Sequence, residues 1–307
     1  MSWIKVFSPA TIGNIGPGFD VLGLAIKGMG DTVEARKIDE GFRIVDVDSK
    51  HEIDTDPEHN TVTIAAREVL KTLKLEGGVE FKLKKGMPIG SGLGSSAASA
   101  AAGAYAANYL YGNQLCRNDL IYPATRAEEM VSGDFFADNT APALLGGATL
   151  TRTMHPLDVT RIGSISTLKL ILVTPEVVIL TRDAREILPQ NVAMADFVSN
   201  MANTALITAA FAKDDYSLFA RSLHDMVIEP IRSRLITGFA EVKEAALKAG
   251  ADGMTISGSG PTVFAITNDA GKADWIENRM VNTFRSLGIN SQSIITEVDP
   301  EGTRVIE

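Results

Sequence analysis

The chain has 307 residues, enough for about two domains, and its 29 Lys and Arg against 38 Asp and Glu give a formal net charge of −9. This acidic balance argues against nucleic acid as a partner, and a single cysteine, Cys116, excludes an intrachain disulfide and a four-cysteine zinc site. The most apolar run, residues 97–107, is well short of the ~20 apolar residues that cross a bilayer, and the N-terminus lacks signal-peptide features. We therefore expect a soluble, cytoplasmic protein with no membrane partner.

The first half of the chain predicts strands and one helix before a glycine-rich loop. Short runs bounded by Gly, Pro or Asp predict strands over residues 3–7, 31–36 and 42–47. Residues 62–75 place apolar side chains on one helical stripe, and we expect Gly77 and Gly78 to end that helix. Residues 79–84 alternate with period two, which predicts a half-buried strand. The alanine-rich segment beyond the loop has the highest helix propensity in the chain.

The second half alternates strands and helices irregularly. Strands are predicted over residues 169–173, 262–266 and 293–298. Helical segments contain Phe197 to Phe211, Ile236 to Ala246 (which Gly250 can end) and Ile276 to Leu287, with Gly288 just beyond. This order, with hairpin-like neighbours, favours an α+β fold over a purely parallel sheet. We place the domain boundary so that the domains span residues 1–160 and 161–307.

Residues 88–99 carry the sharpest local signal. Gly90, Gly92 and Gly94 are followed by Ser95 and Ser96 at the start of the alanine-rich helix. Glycines allow close approach to a ligand, and the helix start offers unpaired N–H groups and the positive end of its dipole, so this segment predicts an anion site. The spacing matches neither the Walker A pattern nor the dinucleotide pattern, and a serine-capped turn is the alternative interpretation.

Two more glycine-rich segments, residues 8–23 and 250–266, accompany this loop. The three segments, in this order, resemble the three signature motifs of the GHMP small-molecule kinases. The first segment, with Pro9, Asn14 and Asp20, resembles the homoserine kinases of that superfamily in particular, as do residues 132–142 and 229–232. The resemblance implies a two-domain α+β fold, with an N-terminal domain like domain 2 of ribosomal protein S5 and a ferredoxin-like C-terminal domain. It also implies a homodimer.

The same resemblance implies transfer of the γ-phosphoryl group of ATP to the side-chain hydroxyl of L-homoserine, a step of threonine biosynthesis that uses Mg²⁺. The residues implied for ATP lie on and around the loop: Asn60, Lys85, Pro88, Ile89, Gly90, Ser91, Gly92, Leu93, Gly94, Ser95, Ser96, Ala97 and Ala98. Ser96 and Glu128 are implied as magnesium ligands and, together with Asn139, as catalytic residues. A helix N-cap is the equal alternative for Asn60, and Glu129 is the alternative to Glu128.

L-Homoserine has an ammonium, a carboxylate and a hydroxyl to bind. The resemblance implies Asn14, Asp20, Thr181, Arg185 and Arg232 as the substrate-binding residues. Asp20 suits the ammonium, and arginine suits the carboxylate because its planar fork binds two oxygens at once. Two neighbouring arginines, at positions 182 and 234, remain alternatives.

The identity of a catalytic base stays open. Asn139 is assigned to positioning, and a structural role for Asp138 is as consistent with the sequence as proton transfer, because a loose phosphoryl-transfer transition state needs no early deprotonation. Many homoserine kinases carry a histidine where this chain has Phe136. The histidines, His51, His59, His155 and His224, show no metal-ligand spacing, so we interpret them as structural or surface residues.

Two other functions compete with this interpretation. A GHMP kinase of the mevalonate or shikimate type would use a substrate with a carboxylate but no ammonium, which makes Asp20 unfavourable beside the acceptor. A non-catalytic sensor with the same fold would have no need for a magnesium pair such as Ser96 and Glu128.

Overall fold

The computed structural model describes residues 2–177, 179 and 181–306, apart from the side chains of Ser132 and Thr181. Strands β1 to β11 span Ile4–Gly13, Leu22–Ile38, Gly41–Asp48, Gly78–Lys84, Ala148–Met154, Leu157–Gly163, Lys169–Pro175, Gly253–Ile256, Val263–Thr267, Ser291–Thr296 and Arg304–Val305. Helices α1 to α10 span Thr61–Leu73, Ser95–Leu110, Ile121–Ser132, Thr140–Leu145, Thr181–Glu186, Met194–Lys213, Tyr216–Ser222, Glu229–Arg232, Phe239–Lys248 and Ala270–Ser286. A 3₁₀ turn, Ser233–Leu235, follows α8.

The first sheet has seven strands in the order β11-β1-β2-β4-β3, with β5 paired to the start of β2 and β6 paired to β5. Its pairs are antiparallel except β3 with β4. Helices α1 to α4 contribute to the apolar core on one face of this sheet. Strand β6 continues this sheet to Gly163, and β11, near the C-terminus, pairs with β1 at its edge. The division of the chain into domains of residues 1–160 and 161–307 stays a prediction.

The second sheet is antiparallel, with four strands in the order β10-β7-β9-β8. Side chains alternate across β7: Ile171 and Val173 pack in the core with α9 and α10, whereas Leu170 and Leu172 face the other way. That other face shares a core with α6, α7 and residues of β1 and β2, such as Ile12. The predicted α+β class is confirmed, and a continuous apolar core joins the two sheets.

Three details differ from the sequence-based expectations. Helix α1 ends at Leu73 with Lys74 in the left-handed conformation, so the prediction that Gly77 and Gly78 stop it was wrong. Strand β4 is buried over most of its length rather than on one face, and its buried Glu80 carboxylate is paired with Arg36 and Arg43, at 2.6 Å from each Nε. The hairpin of β5 and β6 was not predicted. Among the described residues, none of the helices combines the length and apolar character of a membrane span.

Helix α2, which begins directly after the glycine-rich loop that ends at Gly94, packs closely on α1. A Cβ added at Gly103 of α2 would lie 2.3 Å from the backbone oxygen of Val62. Only glycine therefore allows this separation of the two helices, and the packing fixes where α2 begins.

We predict that Gly103→Ala lowers the free energy of unfolding by about 1–3 kcal/mol, because the added methyl group forces the helices apart. Urea unfolding measures the change. Gly271→Ala, where the nearest atom to the added Cβ is a side-chain oxygen at 3.2 Å, is the matched control and should be near neutral. Equal effects of the two substitutions would contradict the packing argument.

Candidate active site

The loop between β4 and α2 is fixed by the turn between β8 and β9. The hydroxyl of Ser257 donates to the carbonyl of Gly92 (2.7 Å), and the N–H of Thr262 donates to the carbonyl of Ser91 (3.1 Å). A Cβ at Gly92, where φ is +79°, would lie 2.5 Å from the Ser257 carbonyl oxygen. The third glycine-rich segment, residues 250–266, therefore packs directly against the loop.

The first glycine-rich segment completes the same assembly. The N–H of Thr11 donates to the carbonyl of Leu93 (3.0 Å), and the N–H of Gly258 donates to the carbonyl of Gly13 (3.1 Å). At Gly94 φ is +65° and an added Cβ would lie 2.0 Å from the Thr11 hydroxyl oxygen. The three glycine-rich segments of the sequence therefore meet at one place.

The start of α2 has the features of an anion site. Gly90, Gly92 and Gly94 all have positive φ, and Gly94 is the N-cap, so the capping residue has no side chain that could bond to the first-turn amides. Within the described part of the chain, the buried hydroxyl of Ser95 has no hydrogen-bond partner. First-turn amides at the positive end of a 16-residue helix, with the Ser95 hydroxyl beside them, suit a phosphate group.

A cleft of about 440 Å³ lies over this loop. The cleft is lined by residues from the N-terminal and the C-terminal halves of the chain. Most of the predicted site residues are among them: Asn14, Asp20, Asn60, Lys85, Ile89, Gly90, Ser91, Gly92, Gly94, Ser95, Ser96, Ala97, Glu128, Asn139, Arg185 and Arg232. The structure therefore brings these residues together, while their individual roles stay predictions.

Lys85 is held below the loop. Its ammonium, almost fully buried, donates to the buried carboxylate of Asp31, to the Ser99 hydroxyl (2.8 Å) and to the carbonyl of Ser95 (2.9 Å). These three bonds use the three donors of the ammonium. In this arrangement Lys85 anchors the first turn of α2.

Glu128 of α3 lies next to Ser96. Burial raises the pKa of the Glu128 carboxyl, and the hydrogen bond from Ser96 and the charge of Lys85 oppose that shift. The alternative residue, Glu129, instead pairs with Arg126 on the same helix. A hydroxyl and a carboxylate beside a phosphate site match the one or two protein ligands that Mg²⁺ usually takes, so these residues fit the metal. No cluster of three or more His, Cys, Asp or Glu that could hold a metal occurs within the described residues.

Asp20 and Arg185 form an ion pair in the cleft. The two Nη atoms of Arg185 each lie 3.0 Å from an oxygen of Asp20, which is bidentate geometry. Arg232 is 3% exposed and donates to the carbonyls of Ala184 and Gly258, at 3.0 and 3.1 Å. Two cations and a carboxylate thus converge on one small pocket.

The side chain of Asn14 makes hydrogen bonds with two other residues of the protein. Its amide donates to the carbonyl of Gly258 (3.0 Å), and its side-chain oxygen accepts from the N–H of Asp20 (2.9 Å). Asn14 therefore fixes the turn that presents the Asp20 carboxylate to the cleft.

Asp138 and Asn139 sit side by side at the cleft. The Thr11 hydroxyl donates to the Asn139 side-chain oxygen (2.8 Å), which directs the Asn139 amide towards Asp138, 3.3 Å away. Burial, and next the charge of Asp20, raise the pKa of Asp138 to about 7, although two nearby arginines act in the opposite direction. Asp138 is therefore a buried carboxyl that titrates near neutral pH.

The remaining predicted residues fall elsewhere. Leu93 and Ala98 are buried in the core that joins the sheets, and the Pro88 carbonyl accepts from Ser91 (2.7 Å), so these three shape the loop from behind. Arg182 and Arg234 are exposed, which favours Arg185 and Arg232. The Thr181 side chain lies outside the described residues.

Asn60 is the N-cap of α1, as its alternative interpretation predicted. Its side-chain oxygen accepts from the N–H of Val62 (3.0 Å), and its amide donates to the carbonyl of Asp54 (2.7 Å). It also lines the cleft.

Three residues at the site had no predicted role: Thr11, Phe19 and Asp134. Thr11 and Phe19 lie within the first glycine-rich segment, which was the only signal for them. Asp134 lies within residues 132–142, another segment of the resemblance, and its carboxylate oxygen is 3.3 Å from Nε of Arg185.

Comparison with known proteins agrees with this geometry. Residues 60–147 match the family described as GHMP kinases N terminal domain, and residues 207–286 match GHMP kinases C terminal. The fold, the phosphate-loop candidate and these matches together define a small-molecule kinase of the GHMP class.

Its full-length relatives are more specific. A homoserine kinase of Chloroherpeton thalassium is 38% identical over 319 aligned residues that cover 100% of both chains. One from Arabidopsis thaliana is 39% identical over 99% of this chain and 84% of its own. The crystal structure of homoserine kinase from Cytophaga hutchinsonii has a TM-score of 0.94 and 42% identity, covering 100% of this chain and 98% of that one. The chain therefore belongs to the homoserine kinase family.

The raised pKa of Asp138 predicts a pH-dependent stability. The folded chain retains this proton up to about pH 7, whereas an unfolded aspartate loses it near pH ~3.9, so stability falls as the pH rises through that window. Asp138→Asn removes this effect. We expect the stability of the variant relative to wild type to increase by about 1–3 kcal/mol between pH 5 and pH 8.

Urea unfolding at the two pH values measures this difference. The exposed substitution Asp274→Asn is the control. The same pH dependence in both variants would show that the Asp138 carboxyl is not responsible.

Proposed function

We propose that the chain phosphorylates the side-chain hydroxyl of L-homoserine with ATP, giving O-phospho-L-homoserine. The observation that carries this proposal is the placement of Asp20, Arg185 and Arg232 next to the glycine loop. A carboxylate and two guanidinium groups are complementary to the ammonium and the carboxylate of an α-amino acid. The neighbouring helix start is complementary to a phosphate.

In the proposed reaction, the homoserine hydroxyl oxygen forms a bond to the γ-phosphorus of ATP, and the bond from that phosphorus to the bridging oxygen of ADP breaks. Catalysis of such transfers rests on positioning and on stabilising charge. The first-turn amides of α2 bind the phosphates, and Asn139, held by Thr11, orients the hydroxyl. The hydroxyl proton leaves late, to a phosphoryl oxygen, so the reaction needs no strong base.

We further propose Mg²⁺ as the metal, with the Ser96 hydroxyl and the Glu128 carboxylate as its protein ligands. Bound there, the ion would neutralise charge on the phosphate oxygens. Lys85 contributes by fixing the carbonyl of Ser95 and hence the position of Ser96 on the first turn.

The alternative acceptors fit the pocket less well. Mevalonate and shikimate have no ammonium, so either would leave Asp20 without a cationic partner once Arg185 bound the substrate carboxylate. An unpaired charge in a partly buried site is costly. A non-catalytic sensor would not need Glu128, whose carboxyl is desolvated beside Ser96.

The homodimer and the cytoplasmic location belong to this proposal too. Helix α6 supports the dimer, since it exposes a run of large apolar side chains: Met194 (74% exposed), Phe197 (53%), Val198 (48%) and Met201 (54%). An apolar face of this extent is typical of an interface with another chain.

The acceptor is tested with ATP and purified protein. Homoserine should be phosphorylated at a far higher kcat/KM than mevalonate or shikimate. Asp20→Asn should raise the KM for homoserine about 10- to 100-fold, because a charge-assisted hydrogen bond is lost, and leave the KM for ATP unchanged. Asp183→Asn, an exposed change on α5, is the control. Faster turnover of mevalonate or shikimate, or a selective rise in the KM for ATP, would refute the assignment.

Glu128→Gln tests the metal site. Removing the carboxylate charge should reduce kcat and increase the Mg²⁺ concentration that gives half-maximal rate, while Glu129→Gln should behave as wild type. A wild-type magnesium dependence of Glu128→Gln would exclude Glu128 as a ligand.

A further inference from the structure

Arg185 lies on a short helix, α5. Helix α5 has six residues, Thr181–Glu186, and a helix this short has little stability of its own. The position of the Arg185 guanidinium therefore depends on contacts from other segments. Those contacts decide whether it is ready to bind an anion.

Two kinds of contact hold the guanidinium. At its edge, the Nη atoms pair with Asp20 and Nε lies 3.3 Å from an oxygen of Asp134. In addition, the central carbon of the guanidinium lies 4.3 Å from the centroid of the Phe136 ring and 5.4 Å from that of Phe19. Both distances are within the range of a cation–π contact.

The segment that supplies Asp134 and Phe136 is itself anchored. Between them, Phe135 is 8% exposed, and its ring lies 5.0 Å from that of His155 and 5.7 Å from that of Tyr122. The middle residue is thus buried against the N-terminal domain, and its two neighbours both contact Arg185. This arrangement connects a fixed segment to a side chain on a short helix.

Substrate binding changes the balance of these contacts. If the proposed function holds, the homoserine ammonium binds Asp20 and the carboxylate binds Arg185, so the bidentate pair of Asp20 with Arg185 is replaced. The ring of Phe136 has no oxygen or nitrogen acceptor, so its contact with the guanidinium occupies none of the N–H groups in a conventional hydrogen bond. It can therefore persist while the Nη atoms turn from Asp20 to the substrate.

We infer that Phe136 is a positioning residue that keeps the Arg185 guanidinium in place for the substrate carboxylate. Asp134 assists from the edge, and Phe19 couples the two arginines, since its ring also lies 4.9 Å from the central carbon of Arg232. An acceptor atom placed where the Phe136 ring now lies would compete for the donors that bind the carboxylate, whereas the carbon atoms of an aromatic ring leave them available. This inference rests on the proposed function for the identity of the anion.

Steady-state kinetics test the inference with two substitutions. Phe136→Leu keeps an apolar side chain but removes the ring, and we expect the KM for homoserine to rise about 2- to 10-fold, with kcat and the KM for ATP little changed. Phe136→Tyr keeps the ring face and should restore a KM close to wild type. Phe7→Leu removes a ring that lies over Arg304 outside the cleft, and it should have no effect.

Truncated substrates separate positioning from a general structural effect. With 3-aminopropan-1-ol, which is homoserine without its carboxylate, kcat/KM should be the same for wild type and Phe136→Leu. With 4-hydroxybutyrate, which keeps the carboxylate, Phe136→Leu should lose activity by the same factor as with homoserine. Equal losses with both compounds, or a Phe136→Tyr enzyme as impaired as Phe136→Leu, would overturn the inference.

Hydrogen exchange in the absence of substrate distinguishes failure of this inference from failure of the proposed function. Amides of residues 181–188 should exchange faster in Phe136→Leu than in wild type or Phe136→Tyr, whatever the acceptor is. Unchanged exchange would contradict the role of Phe136. A wild-type enzyme that leaves homoserine unphosphorylated, together with the expected exchange, would refute only the proposed substrate.

Discussion

Hydrogen bonds join the three glycine-rich segments and hold the other parts of the site in position. In the first glycine-rich segment, Thr11 donates a hydrogen bond to the loop between β4 and α2, and in the third segment Ser257 donates to the same loop. The first and third segments are joined by a hydrogen bond from Gly258 to Gly13. These segments come from both sheets, and the apolar core between the sheets prevents them from separating. The start of α2 is therefore held beside the pocket that contains Asp20 and the two arginines.

The same packing brings charged side chains of the cleft close enough to pair with one another. In the described structure Arg185 pairs with Asp20 and also lies beside Asp134, and Arg232 is buried with backbone carbonyls as its partners. Burial lowers the pKa of Arg232, the nearby carboxylates oppose that shift, and Asp138 retains a proton up to about pH 7. A zwitterion can replace the internal ion pair with two pairs of its own, while a ligand with one charge leaves a group unpaired. Under the proposed function, this arrangement of charges favours substrates that carry both an ammonium and a carboxylate.

Much of this could be predicted from the sequence, because periodicity and glycine spacing report local structure directly. The α+β class followed from the order of the predicted strands and helices, and α2 after the loop followed from residues 88–99. The end of α1 at Lys74 could not be predicted, because a left-handed lysine carries no compositional signal. The enclosure of Lys85 by Asp31 and Ser99, and the contacts of Arg185 with Asp134 and Phe136, join residues far apart in sequence, and no local pattern encodes them.

A crystal structure of the protein with a non-hydrolysable ATP analogue, Mg²⁺ and homoserine would test this arrangement directly. We expect the triphosphate on the amides between Gly90 and Ala97, the amino acid between Asp20 and Arg185, and the ion pair of those two residues broken. A triphosphate bound away from the start of α2, or homoserine bound elsewhere with the pair of Asp20 and Arg185 intact, would contradict it.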